Sequence, residues 1–162
     1  MEKMAADRTI MSRGKDKYTG EWLFGTVVFP RSVKNEVYAA IIPMIDGESV
    51  LPEICEVDGS TLGRCTGIPD KNGRMIYEGD VLEYESKLVS LNGFTVGDKC
   101  VERCVVIWDS HKWSVKTIYS NRWTETYNNY GHKCDLYADI ARLYATVAGN
   151  IHDNPEAHSG RR

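Results

Sequence analysis

Hydrophobic and polar positions alternate along most of the chain, and the pattern predicts strands. Trp22, Phe24, Thr26 and Val28 alternate with Leu23, Gly25, Val27 and Phe29. Both sets are mainly apolar, which predicts a strand covered on both faces and stopped at Pro30. Val37 to Ile42 is a second run, rich in β-branched residues and ended by Pro43. The turn dipeptides Asp46-Gly47 and Asp58-Gly59 flank a short strand from Ile54 to Val57. Pro69-Asp70-Lys71-Asn72-Gly73 predicts a hairpin turn, because Pro69 fixes φ and Asn72-Gly73 tolerates positive φ. Ile76 to Tyr84 follows as a strand, with a bend or bulge at Gly79-Asp80.

The clearest hairpin lies further on. Cys100 to Trp108 alternates, Asp109-Ser110-His111 turns, and Lys112 to Tyr119 alternates again with one polar face. Leu136, Ile140, Leu143 and Tyr144 fall at helical spacing, and Asp135 stands where an N-cap would, so a short helix is predicted from Leu136 to Arg142. Val147, Gly149 and Ile151 alternate, and Gly149 is a poor helix former, so a last strand is predicted before Asn154-Pro155. About seven strands with one short helix and many turn residues predict a mainly β fold, a small barrel or sandwich, with no βαβ pattern. Ile76 to Ile151 looks like an SH3-like barrel. The expected organisation is a flexible segment 1–18, an N-terminal β subdomain 19–75, a C-terminal SH3-like β-barrel 76–155 and a flexible tail 156–162.

Composition narrows this little. The 162 residues carry 20 Lys plus Arg and 23 Asp plus Glu, a net charge of −3, which does not suggest a protein that coats phosphates. The small basic cluster Arg13, Lys15 and Lys17 reads as a solvated, frayed end. No apolar run reaches the length of a membrane span, and the N-terminus has no apolar signal core. A cytoplasmic location and free thiols at Cys55, Cys65, Cys100, Cys104 and Cys134 are therefore expected.

The segment from Gly63 to Tyr84, GRCTGIPDKNGRMIYEGDVLEY, resembles the signature of the YopX family, found in phages and prophages of bacteria. Thr66, Gly67, Asp70, Lys71, Asn72, Gly73, Ile76, Tyr77, Glu78, Gly79, Asp80 and Val81 match. Gly149-Asn150-Ile151-His152-Asp153-Asn154-Pro155-Glu156 resembles the family's C-terminal motif, with His152 where Tyr is usual. Gly20 to Val27 resembles its opening. The resemblance implies a YopX-like, mainly β protein of unassigned biochemical function, able to form homo-oligomers. It implies no catalytic residue. The stretch from Glu85 to Lys99 is longer than the family pattern.

Read physically, the signature residues Gly67, Asp70, Gly73, Tyr77, Glu78, Gly79, Asp80, Gly149 and Asn150 are structural. Asn72-Gly73 makes a turn, Gly79 permits a backbone geometry that side chains block, and Glu78 and Asp80 accept turn N–H groups. Zinc is not indicated, because Cys100 and Cys104, four apart on a strand, lie ~13 Å from one another. No phosphate-binding loop, nucleophile elbow or cofactor motif is present, so neither a metal nor a cofactor is expected. Among Tyr84, Trp108, Trp113, Tyr119 and Trp123, core packing is the favoured role; Trp123, in the polar stretch from Ser120 to Asn129, is the exposed candidate. Lys116, Arg122 and Trp123 are the candidate contact residues. The favoured function is a non-enzymatic, self-assembling β-barrel module that binds a host or phage macromolecule, without membrane contact. Single-stranded nucleic-acid binding is the alternative, and a hydrolase with an inter-subunit carboxylate site around Glu78 and Asp80 is a third.

Overall fold

The structure is a computed structural model that describes residues 11–28, 39–45, 48–49, 54–89, 95–121 and 131–153. It divides into two compact units, 1–67 and 68–162.

In the first unit β1 (Ser12–Lys15) pairs antiparallel with β2 (Trp22–Val28), and β2 pairs with β3 (Ala39–Ile45). β3 also takes β4 (Glu48–Ser49) and β5 (Cys55–Val57), and β1 takes the start of β6 (Gly63–Pro69). The small core is Ala39, Ile41 and Val57, with Leu23, Val27 and Leu62 packed against it. The β1–β2 connection is closed by Asp16, whose Oδ1 accepts the N–H groups of Tyr18 and Thr19. Asp58 caps a short 3-10 turn at Gly59–Thr61 by accepting the Ser60 N–H.

The second unit carries β7 (Met75–Tyr77) and a sheet in the order β11-β10-β9-β8-β12. Its strands are β8 (Asp80–Val89), β9 (Thr95–Asp109), β10 (Lys112–Ser120), β11 (Lys133–Asp135) and β12 (Ala145–Asn150). One helix, α1 (Ala138–Tyr144), joins β11 to β12. The core is Ile76, Leu82, Cys104, Val106, Val115, Leu136, Ala141, Ala145 and Val147, with Ile68, Tyr84 and Trp113 packed against it. The β9–β10 hairpin forms as its alternation predicts, turning on Ser110 and His111, both at positive φ as a type I′ turn requires. Trp108 and Trp113 face each other across it, edge to face, with centroids 4.9 Å apart. Of the stretch from Glu85 to Lys99, the described residues 85–89 and 95–99 extend the β8–β9 pair through Lys87↔Lys99 and Val89↔Thr95.

Several expectations are corrected. β2 is not covered on both faces: Gly25 is its one buried residue, and Phe24 and Thr26 are exposed. β3 continues through Pro43, which pairs with Gly25. β1 lies inside the segment read as frayed, and Arg13 is buried with its guanidinium 4.6 Å from the Trp22 ring centre. A strand partner and a cation–π contact hold that residue down. The predicted strand from Ile76 to Tyr84 is two strands with a corner at Glu78-Gly79. Asp135 does not cap the helix; it ends β11 and pairs with Lys112 at 2.6 Å, while Tyr137 takes the N-cap position without a side-chain bond. Asp46-Gly47, the 122–130 part of the predicted contact loop, Asn154-Pro155 and the 156–162 tail lie outside the described residues.

The SH3-like barrel is corrected to its coarser form: two antiparallel sheets and one short helix, with no closed barrel among the described residues. The reason is visible at β12. Its outward-facing groups are taken by a turn, since the Ala145 carbonyl accepts the Lys71 N–H at 3.0 Å and the Val147 N–H donates to Asp70 Oδ2 at 3.0 Å. That edge is occupied by a side chain and a loop instead of a strand.

Candidate functional site

The residues of the two sequence signatures meet in the second unit. Asp70 is 3% exposed, and three backbone N–H groups converge on its carboxylate: Asn72 and Arg74 on Oδ1, at 2.8 and 2.9 Å, and Val147 on Oδ2. Its own N–H donates to the Arg74 carbonyl, and its carbonyl accepts from Gly73, whose φ is +83°. Burial is the largest influence on this carboxyl and pushes its pKa up, but the three N–H donors outweigh it and hold the pKa below the ordinary value.

Ten residues on, the chain turns the corner between β7 and β8. Asp80 is fully buried, and its Oδ2 accepts the Tyr77 N–H at 2.8 Å. Gly79 has φ +82°; its N–H reaches the Val106 carbonyl on β9, and its carbonyl accepts the Ile151 N–H just past β12. Asn150 lies opposite Asp80 in register, and its Oδ1 accepts the N–H groups of His152 and Asp153. Gly149 sits at the register shift in β12. The Asp70–Asp80 and Gly149–Asp153 parts of the two motifs are therefore halves of one backbone lock that ties β7, β8, β9 and β12 together.

Gly79→Val tests the lock. Left-handed φ costs a side-chain-bearing residue roughly 1–2 kcal/mol, and more when it is β-branched. The unfolding free energy of the second unit in urea is expected to fall by at least ~1 kcal/mol. Gly149→Ala is the control, because no atom lies within 4 Å of a Cβ there and its φ is not left-handed. Equal midpoints for both variants would remove the backbone requirement at Gly79.

One further cluster was not legible in the sequence. Tyr84, Glu102, Cys104, Thr117 and Cys134 lie on one face of the sheet. Thr117 Oγ1 donates to Glu102 Oε1 at 2.9 Å and lies 3.6 Å from the Cys104 sulfur. Burial pushes the Cys104 thiol up to about 12, with Glu102 and Cys134 adding to it against the Thr117 bond. Burial likewise raises the Tyr84 phenol, reinforced by Cys104, Cys134 and Glu102. A thiol held protonated in this way is a packing element and not a nucleophile. Among the described residues no group of three His, Cys, Asp or Glu side chains could hold a metal ion.

The predicted contact residues are described only in part. Lys116 is exposed on β10, while Arg122 and Trp123 lie outside the described residues. Gly67, with φ +74°, is exposed on β6, and Glu78 is half-buried at the corner. Trp113 packs on the core as expected, whereas Trp108 and Tyr119 are exposed.

A model of the YopX protein family matches residues 12–157. The chain belongs to the YopX family. Within this YopX protein the matched span takes in both halves of the lock. A crystal structure of protein EF1440 from Enterococcus faecalis is similar to it at 24% identity and a TM-score of 0.46, covering 91% of this chain and 97% of that one. No curated protein matches the chain. Among the described residues no helix is long and apolar enough to cross a membrane.

Proposed function

We propose that this YopX protein is a non-enzymatic β module of phage or prophage origin that assembles with itself and binds a host or phage macromolecule. The observation that carries this reading is the outer face of α1. The helix buries Ala141 and leaves Tyr137, Ile140, Leu143 and Tyr144 between 47% and 64% exposed. Four large apolar side chains within eight residues are an interaction surface and not ordinary scatter. The signature residues support it from the other side, because Asp70, Gly79, Asp80 and Asn150 are occupied in backbone contacts. The hydrolase reading loses its carboxylate pair: Asp80 is sealed from solvent, and Glu78 lies in the corner, not on its strand face.

Light scattering across a concentration series tests the assembly. The mass is expected to exceed that of the 18.3 kDa chain, and Leu143→Asp is expected to lower it with the circular-dichroism spectrum unchanged. A monomer at every concentration would overturn the proposal. A salt-dependent shift of a labelled oligonucleotide would instead support the nucleic-acid alternative.

A further inference from the structure

The two edges of the second unit's sheet are treated differently. At β12 the outward groups are capped by the Asp70 turn. At β11 the Leu136 N–H reaches the Trp113 carbonyl and the Thr117 N–H reaches the His132 carbonyl. In an antiparallel ladder this alternation turns Cys134, opposite Val115, toward β10, and turns the main-chain groups of Lys133 and Asp135 outward. No strand among the described residues lies beyond β11, and Lys133 and Cys134 are exposed.

We infer that β11 is a self-complementary edge that takes the β11 strand of a second copy of this chain, antiparallel across a two-fold axis at Cys134. The inference rests on the self-assembly reading and names the contact. Antiparallel pairing centred on Cys134 sets Lys133 opposite the partner's Asp135 and Asp135 opposite the partner's Lys133. Both are outward-facing positions, so each pair exchanges main-chain hydrogen bonds and matches opposite charges. A shift of the axis by one residue onto Lys133 or Asp135 sets like charges face to face, so the charge pattern selects the register. An isologous contact of this kind closes on itself as a dimer. The apolar face of α1 begins two residues after β11 and is available to widen the contact.

This register has a chemical reporter. Cys134 and its symmetry mate form the non-hydrogen-bonded pair at the axis, where Cα atoms sit about 4.5 Å apart, inside the range a disulfide spans. Diamide takes one hydrogen from each thiol, becomes the hydrazine, and leaves a Cys134–Cys134 bond. The expected result is a covalent dimer of the full chain that Cys134→Ser abolishes. Lys133→Asp is expected to weaken the dimer about tenfold or more by facing Asp against Asp, and Lys133→Asp with Asp135→Lys to restore it. The ion pairs within the chain, Lys133–Asp109 at 2.9 Å and Lys112–Asp135, are exposed and contribute little to the fold. Circular dichroism checks that each variant is folded. A dimer by light scattering that neither crosslinks through Cys134 nor responds to the reversals overturns this interface and leaves self-assembly standing. A monomer overturns both.

Discussion

Gly25→Ala is expected to destabilise the first unit by about 3 kcal/mol or more, at the upper end of what overpacking costs. Gly25 sits mid-strand in β2, opposite Ser12 on β1 and Pro43 on β3. A Cβ built there overlaps the Ile42 carbonyl oxygen and crowds the Ile41 side chain. The obstruction is main chain, which cannot rotate aside, so accommodation requires β2 and β3 to separate. That separation would disrupt pairing around Ile41, the fully buried residue of the small core. Trp22 is the sole tryptophan of the first unit, and its fluorescence against urea reads the loss directly. An unfolding free energy within ~0.5 kcal/mol of the parent would show that β2 and β3 yield cheaply and that Gly25 answers to something else.

Asp70→Ala is expected to cost the second unit at least ~3 kcal/mol, since a hydrogen bond to a charged group contributes roughly 1.5–3 kcal/mol and this carboxylate accepts from three donors. The loss concentrates at Val147, a buried residue whose N–H loses its acceptor. Hydrogen exchange at the Val147 amide is therefore expected to accelerate more than exchange across the β9–β10 hairpin. Asp70→Asn keeps one acceptor oxygen and is expected to fall between the two. The pH dependence follows from the lowered carboxyl pKa. A carboxyl whose folded pKa lies below its unfolded value of about 3.9 stabilises the fold fully above that value. The contribution is lost as pH falls through the folded pKa. Stability of the parent is expected to drop below about pH 4 more steeply than that of Asp70→Asn. Parallel acid profiles would show that Asp70 holds its turn by shape and not by charge.

The β9–β10 hairpin, the final strand and the Asn72-Gly73 turn were legible in the residues themselves. Period-two alternation and turn chemistry are local properties, and local properties survive in any environment that covers one face. Gly79 was legible for the same reason, since its positive φ is a requirement of the main chain at that point. The helix was legible in existence but not in orientation. Leu136, Ile140, Leu143 and Tyr144 share helical spacing, yet Leu136 precedes the helix and is buried while the other three are exposed. Apolar spacing marks a surface, and whether the surface meets core or water depends on what the rest of the chain places beside it.

What the sequence alone determined is a mainly β chain, the family to which it belongs, and the residues that family marks. Only the tertiary structure decided what those residues do. Asp70 and Val147 are 77 positions apart, and so cannot be associated by any local pattern. They meet because β12 returns beside β8 and presents its open edge to the turn that carries Asp70. Among the described residues β11 is the opposite end strand of that sheet. Local chemistry makes strands, but which edge a distant turn caps is set by the order in which the strands come together.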